Sequence, residues 1–409
     1  MLQGLMGDSA PAPLIELWRR VVEDGSGKWR SSLRERDVAW AIECGMAALL
    51  SEALEPGQLS EPLEVRLRAA DRWAWLRHAD SLEAALEILD GCAGRVPSLT
   101  LLKGLSIGPE HYPSPHQRFL GDLDLLVPPD SLEEILGIFE KLGYAISKPS
   151  RRDLSHHHFP PLQHPRTGVW VELHTGLFPA SQGFDRAGPF SAHQVLAEQR
   201  RSELEGRAVF RLSPELQVVY IASHWAHDFA PATGPRGLLD MLLLLRAEAD
   251  SLDWDRIVSW LEDRRIAAHL QLMLSCLAAW ELLEVPPKLR DHWQQLSVLE
   301  PTALQVLVGM AERYQVRGAM AGVPDLLAAK RDREPLGATP SGTFRSRFET
   351  LGTALITRNL RGLLPILDTI PWNALLDPRP SLSRRLLISW CRFFPPGDPN
   401  RFVPSWIGN

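Results

Sequence analysis

The sequence has few of the features that mark several large classes of protein. Its 409 residues include 4 cysteines, at positions 44, 92, 276 and 391, and none of them belongs to a CxxC pair. This spacing favours neither a zinc ribbon nor a disulfide framework, so a reducing cytoplasm is the expected location. The chain starts without a basic stretch leading into an apolar one, and its longest apolar run, around Met241 to Leu245, is too short to cross a membrane. We therefore expect a soluble, non-exported, cytoplasmic protein.

Several catalytic motifs are also missing. The sequence contains no GxxxxGKS/T, HExxH or GxSxG motif, which argues against P-loop NTPases, zincins and serine hydrolases. The formal net charge of −6 argues against a general nucleic-acid-binding protein. The charge is uneven, because the chain from Lys330 onward carries about 12 lysines and arginines against about 6 acidic residues. This basic segment either packs on an acidic body or docks an acidic or phosphate-bearing partner.

The composition, 45% hydrophobic and 23% charged, is that of a globular protein. Helical spacing near the start, with a later helix opening at Ser81, predicts an N-terminal helical domain over residues 1–95. Strand-like segments predict a small α/β unit over 96–210, and Ser213-Pro214-Glu215 opens a helical domain over 211–330. Residues 331–409 are predicted to form a basic extension of short helices and loops. The expected fold class is α+β, with a small mixed sheet embedded in a largely α-helical protein.

The α/β unit is predicted from four short strands and one helix. The predicted strands are residues 99–104, 121–127, 144–147 and 169–174. The helix is expected to begin at Asp130, with Glu133 in a capping-box position, and to end at Gly143.

Two acidic residues on the second predicted strand are the strongest functional signal. Alternation along 121–127 places Asp122 and Asp124 on one face, while the leucines between and after them point into a core. Two neighbouring carboxylates on a half-buried strand raise each other's pKa or recruit a cation, and Mg²⁺ prefers carboxylate oxygens. The sequence therefore predicts a site for Mg²⁺ or Mn²⁺. A solvated edge strand is the alternative.

A third carboxylate lies on the last predicted strand. Along 169–174, Glu172 and His174 share one face, and the valines and leucine take the other. Three carboxylates on adjacent strands can hold one or two Mg²⁺ ions that bridge the phosphates of a nucleotide. Glu172 is alternatively the partner of an arginine, and His174 is expected either to contact the site or to have no role in it.

Phosphate chemistry also needs positive charge and a close approach of the backbone. Lys103 and Gly104, at the end of the first predicted strand, supply both, and Arg118 adds charge four residues before Asp122. Lys103 is alternatively a surface lysine beside a turn. Arg118 is alternatively a structural partner of the acidic pair.

The histidines leave two further possibilities open. For His156, His157 and His158 an exposed loop is expected rather than metal ligation. His224, His227 and Asp228 lie close together on a predicted helix, and with Asp240 they would suit a metal-dependent phosphohydrolase. The alternative is that they pack against Trp225 or line an acceptor cleft.

The order of these motifs resembles a known family. The segments 102–104, 118–127, 142–144, 157–158 and 171–174 together are similar to the bacterial nucleotidyltransferase-like family of the polymerase-beta-type nucleotidyltransferase superfamily. The resemblance is best over residues 99–180 and extends to 224–227 and 236–240. It departs from the superfamily at Lys103-Gly104-Leu105-Ser106, where a Gly-Ser pair is usual, and at Glu172, where Asp is commoner.

The resemblance implies a nucleotidyltransferase core over residues 96–210. It implies Asp122, Asp124 and Glu172 as metal ligands and catalytic residues, and Lys103 and Gly104 in the loop that binds the nucleotide phosphates. Arg118 is expected to bind the nucleotide as well, while His174, His224, His227, Arg236 and Asp240 are expected beside the site or on the acceptor side. The expected activity is Mg²⁺-dependent transfer of a nucleotidyl group from an NTP to a small molecule, a peptide or protein, or an RNA end. A non-catalytic nucleotide-sensing or scaffold protein is the alternative.

Overall fold

A computed structural model describes residues 12–23, 33–55, 57–145, 157–178, 188–228, 233–296, 299, 304, 307–309 and 311–318. The helices are α1 (Pro13–Val22), α2 (Glu35–Glu43), α3 (Ala47–Ala53), α4 (Glu61–Cys92), α5 (Lys103–His111), α6 (Leu132–Lys141), α7 (Ala192–Ala197), α8 (Pro214–Asp228), α9 (Gly234–Glu248), α10 (Trp254–Trp260), α11 (Arg264–Ala279) and α12 (Pro287–Leu296). The strands are β1 (Thr100–Leu101), β2 (Asp122–Leu126), β3 (Leu162–Gln163), β4 (Trp170–His174), β5 (Gln199–Leu204) and β6 (Arg207–Leu212). A π-helix spans Ala311–Val316.

The strands form one mixed sheet in the order β3-β4-β2-β1-β6-β5. The second and third strands in this order, β4 and β2, run parallel, and Asp124 pairs with Glu172 in their register, while β1 pairs with the other edge of β2. β2 therefore has neighbours on both sides, so the alternative of a solvated edge strand is wrong. The structure confirms the α+β class.

The alternation of residues along β2 and β4 divides the sheet into an apolar face and a polar face. Leu123, Leu125, Val171 and Leu173 are each at most 1% exposed and pack with residues of α4 and α6. Because neighbouring side chains of a strand point to opposite faces, Asp122, Asp124 and Glu172 share the other face. The core under the sheet thus fixes the direction of the acidic side chains.

Three local predictions are corrected by the structure. The first predicted strand is shorter than expected, because Lys103 and Gly104 already belong to α5. The early helix does not begin at Ser81; that small side chain is fully buried inside the 32-residue helix α4. The helix expected to begin at Asp130 begins at Leu132, because residues 129–131 form a 3₁₀ turn, and it ends as predicted before Gly143, whose φ is +87°.

The strand predicted at 144–147 is absent from its described part. Tyr144 and Ala145 are outside any strand, and the remaining two residues lie outside the described ranges. The β5–β6 hairpin was not predicted. Its two-residue turn, Glu205-Gly206, has positive φ at both positions, and Arg211 of β6 is buried beside Glu110.

The helices on the polar side of the sheet share one core. Residues of α1, α2 and α3 are buried together with residues of α8, α9, α11 and α12, as in the contact of Trp18 with Trp280, whose ring centroids are 6.1 Å apart. The N-terminal helices therefore help to hold the helices that face the sheet. The domain boundaries at 95, 210 and 330 stay predictions, as does the basic extension 331–409, which lies outside the described residues. No helix in the described ranges is long and apolar enough to cross a membrane.

Candidate active site

A cleft of about 370 Å³ lies between the polar face of the sheet and helices α8 and α9. Nine of the residues predicted for the site line it: Lys103, Gly104, Arg118, Asp122, Asp124, Glu172, His224, Arg236 and Asp240. His174 does not line the cleft itself, but its ring is hydrogen-bonded to Asp124, which does. His227 belongs to α8, but its side chain is outside what the structure describes. Residues more than a hundred positions apart in sequence thus meet at one cleft.

The acidic wall comes from the paired strands β2 and β4. Asp124, Glu172 and His174 can each offer one ligand atom, and these three atoms lie within 4.8 Å of one another. Asp122 lies outside this set, although it lines the same cleft. Two carboxylates and an imidazole suit a divalent cation, and the oxygen donors suit Mg²⁺ or Mn²⁺. The carboxylates of Asp124 and Glu172 therefore suit a divalent ion, and His174 lies beside them, hydrogen-bonded to Asp124.

Asp124 is the most heavily bonded of these carboxylates. Its Oδ1 atom lies 2.7 Å from Nζ of Lys103 and 2.8 Å from Nε2 of His174. Burial alone would raise the pKa of Asp124, but the charge of Lys103 and the hydrogen bond with His174 hold it far below its usual value. Lys103 is neither a free surface lysine nor part of a strand. It sits at the start of α5 with φ of +46°, just after β1, and its ammonium contacts Asp124 on the neighbouring strand β2.

Asp122 has the opposite environment. Burial, followed by the negative charge of Asp124, raises the pKa of Asp122 to about 6. Among the described residues its carboxylate has no hydrogen-bond or ion-pair partner. Glu172, by contrast, has a lowered pKa, chiefly because Nε2 of His174 lies 3.6 Å from its Oε2. On β2, Asp122 is therefore without a bonded partner among the described residues, whereas Asp124 is bonded to Lys103 and His174.

His174 links the acidic wall to two more histidines. Its ring lies 5.3 Å from that of His157 and 5.4 Å from that of His158. Backbone hydrogen bonds from Thr175 to His157 and from Phe159 to Leu173 hold this segment along β4. The expected exposed loop is therefore wrong for His157 and His158, which are half-buried; His156 lies outside the described residues. Burial lowers the pKa of His157 to about 3. For His174, the hydrogen bond with Asp124 and the nearby carboxylate of Glu172 outweigh burial and raise the pKa.

Arg118 is held by Asp240 rather than by the acidic pair. Its Nε and Nη2 atoms each donate to Asp240 at 2.7 Å, and Nη1 donates to the Phe119 carbonyl. The hydroxyl of Tyr112 also donates to Asp240, at 2.8 Å. Gly104 allows this arrangement, because a Cβ there would lie 3.1 Å from Nη1 of Arg118. The network joins the loop before β2 to α9.

Arg236 is the cation of the cleft that has no acidic partner at ion-pair distance within the described residues. Its guanidinium lies 5.6 Å from the centroid of the Phe119 ring. Burial, and then the charge of Arg118, lowers its pKa. A half-buried arginine in this position suits an anion in the cleft.

The helical wall includes side chains that the sequence analysis missed. Gln217, Tyr220, Ile221 and His224 follow one another at helical spacing along α8 and all line the cleft. The sequence signal that could have identified them is this i, i+3, i+4, i+7 pattern, read backward from His224. The phosphohydrolase alternative gains no support, because its further ligand Asp240 is bound by Arg118 and Tyr112.

One of three comparisons with known proteins identifies a family for the chain. Among curated proteins and among solved structures, none is significantly similar to the chain. A family model described as an uncharacterised nucleotidyltransferase matches residues 35–281, which run from the start of α2 beyond the end of α11 and include every residue that lines the cleft. The match covers more than half of the 409 residues. The chain therefore belongs to this uncharacterised nucleotidyltransferase family.

Proposed function

We propose that the protein is a Mg²⁺-dependent nucleotidyltransferase that moves a nucleotidyl group from an NTP to an acceptor hydroxyl. The observation that carries the proposal is the in-register pairing of Asp124 with Glu172, beside Asp122, at a cleft that also contains Lys103 and Arg236. Acidic groups on one wall and basic groups around them are the combination that a triphosphate with its metal ion requires.

Different residues of the cleft suit the metal ion and the phosphates. Asp122, Asp124 and Glu172 would hold Mg²⁺, and His174 would orient Asp124 through its hydrogen bond. Bound Mg²⁺ supplies charge neutralisation for the phosphates and lowers the pKa of an attacking hydroxyl. Lys103 and Arg236 would contact the phosphates. We assign Arg118 a positioning role, since Asp240 and the Phe119 carbonyl already take its donors.

The proposed reaction is an in-line displacement at phosphorus. The acceptor oxygen forms a bond to the α-phosphorus, the bond from that phosphorus to the bridging oxygen breaks, and pyrophosphate leaves with the electron pair. Glu172, besides holding the ion, would take the proton of the acceptor hydroxyl. The side chains of α8 that line the cleft, Tyr220 and His224 among them, would contact the acceptor or the base.

Transfer from labelled nucleotides tests the proposal. The protein is incubated with Mg²⁺ and ATP, GTP, CTP or UTP, labelled on the α-phosphate in one series and on the γ-phosphate in another, over small-molecule, peptide and RNA acceptors. We expect transfer of the α-label and its loss in the double variant Asp122→Ala, Asp124→Ala. Asp90→Ala, which removes an exposed carboxylate of α4, is the matched control and should retain activity. Transfer that survives the double change contradicts the mechanism, and transfer of the γ-label alone indicates a phosphotransferase.

A further inference from the structure

We propose that Lys103 closes the metal site of the nucleotide-free protein, and that a bound nucleotide opens the site by drawing the Lys103 ammonium from Asp124 to its phosphates. Metal ion and nucleotide would then bind together, each weakly without the other. This inference rests on the proposed function, and it adds that Lys103 must leave Asp124 for the nucleotide before Asp124 can bind the metal ion.

One oxygen atom of the proposed metal site is already crowded by its neighbours. Oδ1 of Asp124 lies within hydrogen-bond distance of both Lys103 and His174. The Asp124 side chain is only 2% exposed, so a cation must approach it from the cleft, where the Lys103 ammonium already stands. A divalent ion at that oxygen would meet a like charge at short range in a place of low effective dielectric. Lys103 must therefore move before Asp124 can ligate a metal ion.

The Lys103 ammonium is able to move away from Asp124. The Lys103 side chain is 25% exposed and has a flexible four-carbon stem, so its ammonium can turn away from Asp124 while the backbone stays in place. Arg118 cannot do this without leaving three acceptors, two of them on Asp240. A triphosphate in the cleft would offer Lys103 a stronger partner than a carboxylate already shared with His174.

The binding of the nucleotide and the binding of the metal ion are thermodynamically linked. If the nucleotide removes Lys103 from Asp124, it raises the affinity for the metal ion, and the metal ion must raise the affinity for the nucleotide by the same factor. Removing the Lys103 charge should make the metal site available without nucleotide. The metal affinity of the nucleotide-free protein should then increase, although a residue of the site has been lost.

Mn²⁺ binding measured by electron paramagnetic resonance of the free ion tests this directly, without turnover. Titrations of the full chain are compared with and without the α,β-methylene analogues of the four nucleoside triphosphates. The variants are Lys103→Met and Lys103→Gln, which remove the charge, and Lys103→Arg, which keeps it. Lys141→Met, which removes an exposed lysine of α6, is the matched control. Circular dichroism and thermal melting confirm that each variant is folded.

We expect Lys103→Met and Lys103→Gln to bind Mn²⁺ at least tenfold more tightly than the wild type when no nucleotide is present. Lys103→Arg and Lys141→Met should remain near the wild-type value, and the gain in Mn²⁺ affinity caused by the analogue should be smaller in the uncharged variants. Equal or weaker Mn²⁺ binding by both uncharged variants overturns the inference, while nucleotide-dependent Mn²⁺ binding by the wild type would leave the proposed function intact. If no protein binds Mn²⁺ even with an analogue, both proposals fail.

Discussion

Replacing Asp240 with alanine tests whether the ion pair between the sheet side of the cleft and α9 stabilises the protein. Asp240 accepts two hydrogen bonds from Arg118 and one from Tyr112, with distances of 2.7 to 2.8 Å. The side chains of Arg118 and Asp240 are only 11% and 5% exposed. The substitution therefore leaves a guanidinium buried without its counter-ion.

The expected cost follows from this burial. Removing one partner of a buried, hydrogen-bonded ion pair costs about 3–5 kcal/mol, because the remaining charge stays desolvated. In a protein of this size the loss corresponds to a fall in Tm on the order of 10 °C. Replacing both members with apolar residues, as in Arg118→Met with Asp240→Leu, should recover most of the loss, since no charge is then left unpaired.

Urea unfolding followed by tryptophan fluorescence measures the free energy, and thermal melting gives the Tm. The matched control is the ion pair of Arg207 with Asp90, which has the same two-point geometry at 2.9 Å but side chains that are 39% and 59% exposed. Asp90→Ala should leave the unfolding transition nearly unchanged, because water screens exposed pairs. If Asp240→Ala costs no more than Asp90→Ala, or if the double apolar variant is no more stable than the single one, burial does not govern this network and the reasoning is wrong.

Three further outcomes are expected. Asp122→Asn should stabilise the metal-free protein by about 1–3 kcal/mol at pH 8, and less as the pH falls below about 6, as measured by urea unfolding. The pKa of folded Asp122 is raised to about 6, so stability is lost as the pH rises from about 3.9, the ordinary pKa of an aspartate, to about 6, a range in which the unfolded carboxyl is ionised and the folded one keeps its proton. A gain that does not depend on pH would contradict this. His174→Gln should destabilise the metal-free protein more at pH 6 than at pH 9, because the raised pKa of His174 contributes stability at low pH that is lost as the pH rises through it; equal melting shifts at both pH values would refute it. Gly104→Ala should cost about 1–3 kcal/mol, because its Cβ would lie 2.6 Å from Cδ2 of buried Leu120, whereas Gly137→Ala, with open space at that position, should cost nothing in the same unfolding assay.

The parts of the fold that could be predicted are those in which one face of an element is apolar. The leucines and valines of β2 and β4 alternate with polar residues, so both strands and the direction of Asp124 and Glu172 followed from the sequence. The β5–β6 hairpin was missed because arginine, serine and glutamate dominate its outer strand. Its buried charge, Arg211, is compensated by Glu110 of α5, a contact between residues that no local pattern connects.

The sequence indicated which residues surround the cleft, but not which of them bond to one another. Glycine, lysine and the carboxylates were recognised from their order along the chain, and the structure places them around one cleft. Which charge neutralises which other charge depends on the three-dimensional packing. Arg118 was expected at the nucleotide but pairs with Asp240, while His174 reaches Asp124 because β2 and β4 are neighbours. Pairings of this kind need the topology of the sheet, which spacing alone does not supply.

The parallel pairing of β2 with β4 fixes the distance between the backbones that carry two carboxylates of the candidate site. Since opposite residues of neighbouring strands share a face, the gap between the Asp124 and Glu172 backbones is the ordinary distance between strands, about 4.8 Å. Core substitutions on the opposite face leave that gap intact. A one-residue insertion or deletion within β4, by contrast, would place valine or leucine beside Asp124 and turn Glu172 into the apolar core. In this family, one-residue insertions and deletions should therefore be found in the loops around β4 and not within the strand.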